Sequence, residues 1–158
     1  MTSKYMYFIA NWKMNGGTEL VTEMTRVLSD IQLNSNVDVI ICPSFPYLAA
    51  WNIAAQAQQL NSKIYLGAQN VCQHAQGAFT GEVSVDMLNE VSVNFVIIGH
   101  SERRSIYKET DQQVADKVKA TLDAGLTPIL CIGESEAERM AEQTDKILAQ
   151  QLQPVIDV

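Results

Sequence analysis

Five short apolar runs, each followed by a stretch with helical spacing, set the terms on which this chain can fold. They centre near residues 9, 40, 66, 97 and 130. A rhythm of about thirty residues suits a strand, a helix and the return to a parallel neighbour. Residues 7–10, Val37–Cys42, Ile64–Ala68, Phe95–Ile98 and residues 127–132 read as the strands. Their apolar runs are nearly continuous, as in parallel strands covered on both faces.

Between them the apolar spacing changes to a helical one. Leu20, Val21, Met24, Val27, Leu28 and Ile31 form one stripe, and Leu48, Trp51, Ala54 and Ala55 a second, with Pro46 in its first turn. A short helix is expected over 85–91. Thr110 with Gln113, and Ser135 with Glu138, are capping-box pairs. The first opens a helix that carries Val114, Val118 and Leu122 and closes at Gly125. The second opens one that carries Met140, Ile147, Leu148 and Leu152 and stops near Pro154.

This pattern predicts one α/β domain over residues 1–158. Periodicity alone fits either an open doubly wound sheet or part of a closed barrel. Polar, glycine-bearing stretches follow the first, third, fourth and fifth strands alike, which favours the barrel, because an open sheet gathers such loops at one switch point. No G-x-G-x-x-G or phosphate-loop pattern follows any strand, so a dinucleotide fold is disfavoured.

Composition narrows the partners. A net charge of −7 argues against nucleic acid and anionic membrane surfaces. No window is long and apolar enough for a membrane span, and no signal-peptide pattern is present. Cys42, Cys72 and Cys131 are odd in number and have no paired spacing, which suggests a reducing, cytoplasmic setting. Cys72-x-His74 offers two ligand types without a second pair, so no metal is expected. Cys131, after the fifth apolar run, reads as buried packing.

The chemistry concentrates where the fourth strand ends. After Phe95–Ile98, Gly99 permits a sharp turn, and an imidazole, a hydroxyl, a carboxylate and two guanidiniums follow in His100-Ser101-Glu102-Arg103-Arg104. Reactive side chains at the carboxyl ends of parallel strands are where α/β enzymes hold their sites. A helical turn is expected to begin right after His100.

Five motifs, in order and spacing, carry a family resemblance. They are Asn11-Trp12-Lys13-Met14-Asn15-Gly16, Gly67-Ala68-Gln69-Asn70, Gly77-Ala78-Phe79-Thr80-Gly81-Glu82, Ile98-Gly99-His100-Ser101-Glu102-Arg103-Arg104 and Cys131-Ile132-Gly133-Glu134. Together they resemble triosephosphate isomerase. The resemblance implies a (β/α)8 TIM barrel of about 250 residues, here truncated to roughly its first five βα units. The strand and lid loop with the family's catalytic glutamate, and two later phosphate-binding loops, are then absent.

The resemblance also implies roles. The reaction interconverts dihydroxyacetone phosphate and glyceraldehyde 3-phosphate through an enediolate, without a cofactor. His100 would be an uncharged electrophile, kept so by the positive end of the helix that follows. Lys13 would stabilise the anionic substrate as a fixed positive charge, with a solvated loop lysine as the alternative. Asn11 would orient substrate and lysine, or be a turn former. Glu102 would hold Lys13 from behind, or be an exposed turn glutamate; Ser101 would cap or support. Arg103 and Arg104 are expected in ion pairs that brace loops and the subunit interface. The long loop 69–82 would reach into a second subunit, with Thr80 and Phe79 at its tip, so a homodimer is implied. Two rivals stay open: another phosphosugar (β/α)-barrel enzyme, and a catalytically incompetent partial barrel that only binds or associates.

Overall fold

The computed structural model describes residues 4–158. Five strands appear, β1 (Met6–Asn11), β2 (Val37–Cys42), β3 (Ile64–Ala68), β4 (Phe95–Ile98) and β5 (Thr127–Leu130), in sheet order β1-β2-β3-β4-β5. The helices are α1 (Thr18–Ser29), α2 (Leu48–Ala57), α3 (Val85–Glu90), α4 (Ser101–Ile106), α5 (Asp111–Asp123), α6 (Glu136–Met140) and α7 (Thr144–Ile156). Each strand thus neighbours the next in sequence, as successive strand–helix units require.

The chain forms two compact units. The first holds the described residues up to Gln69 together with Met87–Phe95. Here β1, β2 and β3 run parallel, with Met6 opposite Val37, Asn11 opposite Cys42, and Val39 opposite Ile64. Its core is Val21, Leu28, Ile40, Ile41, Cys42, Leu48, Trp51 and Leu66. Burial pushes the Cys42 thiol up to about 12, so it serves as packing. The second unit holds Asn70–Asp86 and Val96–Val158. Val96, Ile97, Ile98, Val114, Ala115, Val118 and Leu126 make its core, and the backbone N–H of Cys131 donates to Ile98 O at 2.8 Å.

Both capping boxes form. Thr110 and Gln113 close the start of α5 reciprocally, and Ser135 and Glu138 that of α6. Several expectations need correction. Leu122 is exposed and Thr121 buried instead. A position eight residues along a helix is rotated by about 80° from its start, whereas seven residues leave only about 20°. Val114 and Thr121 therefore share the buried face, and Leu122 leaves it. By the same arithmetic Thr25 joins Val21 and Leu28 inside while Val27 turns outward, and Ile31, expected in this helix, lies beyond its end and is exposed. Both buried threonines give their hydroxyl to a carbonyl one turn back, Val21 O and Lys117 O.

The last expected helix is two. Glu142 adopts φ +56°, a left-handed conformation that ends α6, and α7 then runs on through Pro154. β5 stops at Leu130 rather than residue 132. Beyond it the Gln151 amide takes both the N–H and the C=O of Gly133, each at 2.9 Å, in place of a strand ladder. Cys131 is consequently only half-buried. No helix among the described residues is long and apolar enough to cross a membrane.

Candidate active site

In the first unit the residues after β1 form a loop fixed from several sides. Trp12 packs edge-on against the buried Trp51, ring centroids 5.8 Å apart. Its backbone N–H donates to Cys42 O at 3.1 Å. Gly16, at φ +112°, lies under the Trp12 ring, where a Cβ would come within 2.8 Å.

Lys13 sits in this loop at φ +53°, a conformation an L-residue with a long side chain seldom adopts. Three hydrogen bonds hold it there. Its N–H donates to the Asn11 side-chain oxygen at 2.9 Å. Its carbonyl accepts from Ser44 Oγ at 2.8 Å and from Gln69 Nε2 at 2.9 Å. Gln69 also donates to Cys42 O at 2.8 Å, so one amide ties the β1 loop to the end of β2. Backbone strain over-determined in this way is a mark of functional positions. Asn11 and Lys13 are thus brought together, with Asn11 acting on the lysine's backbone. Gln69 and Ser44 are supports that the sequence reading did not single out.

In the second unit β4 delivers His100 directly to the start of α4. His100 is the N-cap residue, and its Nδ1 accepts the Glu102 backbone N–H at 3.2 Å. The Glu102 carboxylate lies 3.5 Å from the same nitrogen, beyond hydrogen-bond reach. With Nδ1 occupied as an acceptor, the uncharged ring carries its proton on Nε2, a tautomer assigned from the hydrogen bonding. Nε2–H is then left as a donor. Ser101 is exposed at the first position of α4. A cavity of about 210 Å³ opens beside this turn, lined by His100, Ser101, Arg104, Cys131 and Glu134.

Both arginines stand in ion pairs within the second unit. Arg103 Nε meets Glu109 Oε1 at 3.2 Å, and Arg104 Nη1 meets Asp111 Oδ1 at 2.5 Å. Glu109 is also the partner of the buried Lys117, which reaches Asn70 Oδ1 at 2.9 Å. This buried pair escaped the sequence reading, because a lysine in a helix gives no sign that its partners lie elsewhere in the chain.

Two acids, Glu134 in the cavity lining and Glu138 in the first turn of α6, are tuned downward. Glu134 falls below its usual 4.5 mainly through a backbone N–H bond, then through Arg139. Glu138 falls through the backbone N–H and hydroxyl of Ser135, both at 2.7 Å. A depressed carboxylate contributes stability above its unfolded value and loses it as pH falls through the folded one. Thermal stability should therefore decline as pH drops below about 4.5, and Glu138→Gln should flatten that decline. Melting curves across this range with equal slopes for both proteins would refute the assignment.

In the loop 69–82, His74 stacks on Phe79 at 4.1 Å and 4°. Gly77, at φ +139°, admits the Phe79 ring, which a Cβ would meet at 2.8 Å. Phe79 and Thr80 stay exposed at the tip.

Comparison with known proteins places these features in context. The family model for triosephosphate isomerase matches residues 6–158. The triosephosphate isomerase of Colwellia psychrerythraea is 61% identical over 148 residues, covering 94% of this chain and 58% of the relative. That of Alcanivorax borkumensis is 49% identical over 147 residues, covering 93% and 57%. That of Pseudoalteromonas translucida is 40% identical over 157 residues, covering 99% and 59%. The chain spans about three fifths of the length of these relatives. One family model runs without a break through both compact units and through every motif above: the chain belongs to the triosephosphate isomerase family.

Proposed function

We propose that this chain supplies the first five βα units of a single (β/α)8 domain that interconverts dihydroxyacetone phosphate and glyceraldehyde 3-phosphate. The observation that carries the reading is His100. Its Nδ1 is taken by the Glu102 N–H, so Nε2–H is the donor available to a substrate oxygen. Proton loss from the carbon next to a carbonyl places negative charge on that oxygen, and a positioned donor lowers the cost of forming the enediolate. Lys13 contributes a fixed positive charge for an anionic phosphate ester, with its backbone held by Asn11, Ser44 and Gln69. Asn11 and Lys13 bind substrate, Ser101 supports the turn, and Glu102 orients the His100 ring through its backbone N–H. The proton-abstracting base is the glutamate that the family carries outside the region matched here. No cofactor enters the reaction.

The active form is a homodimer in which Phe79 and Thr80 dock on a second copy, a role favoured by the preformed stack of Phe79 on His74. The setting is cytoplasmic, and with a net charge of −7 neither nucleic acid nor a membrane surface is a partner. The test is a coupled assay on the gene's whole product. Glyceraldehyde 3-phosphate should be converted to dihydroxyacetone phosphate, pentose phosphates should be inert, and Lys13→Met should abolish turnover. Absence of triose phosphate turnover in the unmodified protein would end this reading.

A further inference from the structure

We propose that Arg104 is a positioning residue for His100, acting through the carbonyl of Gly99. This inference rests on the reading of His100 as the electrophile. Arg104 lies on α4, and its side chain is 14% exposed. Its Nε donates to Gly99 O at 2.8 Å, while Nη1 meets Asp111 Oδ1 at 2.5 Å. The Gly99 carbonyl belongs to the peptide that joins Gly99 to His100. Fixing that oxygen fixes the plane from which His100 departs, and so the direction of its ring.

The fit is reciprocal. Gly99 is buried at φ +71°, in the left-handed region where glycine carries no steric cost. A Cβ there would come within 3.0 Å of Arg104 Nη2 and 3.1 Å of both Val114 methyls. The guanidinium thus fills the space that a side chain at position 99 would need. Nη2 itself is buried and has no hydrogen-bond partner. A loop brace alone needs only the ion pair with Asp111. The second arm of the fork, on Gly99 O, serves the strand-to-helix turn, and the price is one unmatched donor. Lysine could make either bond but not both, since it lacks the rigid fork.

The test uses the whole protein with ¹⁵N-labelled histidine, the His100 ring being identified by its loss in His100→Gln. The unmodified protein should show one Nε2-protonated tautomer at His100. Arg104→Gln should give a mixture of tautomers and lower kcat about 10²-fold, with KM changed less than about threefold. Arg104→Lys, which keeps one donor for Gly99 O, should fall between, and it supplies the reading if the Gln variant does not fold. Asp111→Asn leaves Nε on Gly99 O and should keep the wild-type tautomer. An unchanged His100 tautomer in the folded Arg104 variants would overturn the proposal and reduce Arg104 to a brace. If the tautomer shifts but the unmodified protein turns over no triose phosphate, the positioning role stands and the isomerase reading falls.

Discussion

Glutamine in place of His100 should lower kcat of the proposed isomerase by about 10²-fold and leave the fold intact. Losing one donor to a developing oxyanion costs enzymes about 10²–10³ in rate. Glutamine keeps an N–H but not a ring whose far nitrogen is pinned by the Glu102 N–H. Its amide can rotate, so the donor is present without being aimed. The same amide oxygen can still accept from the first turn of α4, so the loss of stability should stay near or below about 1 kcal/mol. KM should change little, because charge on the substrate oxygen develops only on the way to the transition state. Steady-state kinetics with circular dichroism check both halves. An unchanged kcat would remove His100 from the mechanism.

The strand pattern was legible because parallel strands covered on both faces leave nearly continuous apolar runs, as in Val37–Cys42, which only Asp38 interrupts. Helix positions were legible, and helix faces less so. Extending a stripe in steps of four from Val114 arrives at Leu122, which the true period turns outward. Lys13 and His100 stood out because they follow apolar runs directly. Their supports were not legible as supports, although Arg104 was expected in an ion pair. Gln69, Ser44 and Arg104 act on main-chain oxygens, those of Lys13, Cys42 and Gly99. Any donor of suitable reach could serve there, so the contact leaves no side-chain pattern to read. Gln69 lay inside a quoted motif, and only its distance to Lys13 O revealed what it does. The Lys117–Glu109 pair was hidden for a related reason, since it depends on Asn70, which lies 47 positions from the lysine.

The polypeptide 1–158 by itself should self-associate, and β1 should be the cause. This strand bonds to β2 along one edge and stands at the end of the sheet order. Its sequence is that of a strand covered on both faces, yet Met6 is 43% exposed, Tyr7 57%, Phe8 57% and Ile9 44%. Neighbouring residues point to opposite faces, so both faces carry uncovered apolar surface. Completing the burial of four such side chains is worth about 3–5 kcal/mol. An unpaired strand edge adds a row of N–H and C=O groups that a second chain can bond. Against these stands the entropy of association, at least about 4 kcal/mol. The balance gives association that grows with concentration rather than a tight, fixed oligomer. Sedimentation velocity across a concentration series should show the mean mass rising. Tyr7→Lys with Ile9→Lys should restore the monomer by placing two charges on one face of the strand. A mass that stays monomeric at every concentration, with the β1 amides protected from hydrogen exchange, would mean that something within the polypeptide covers this edge.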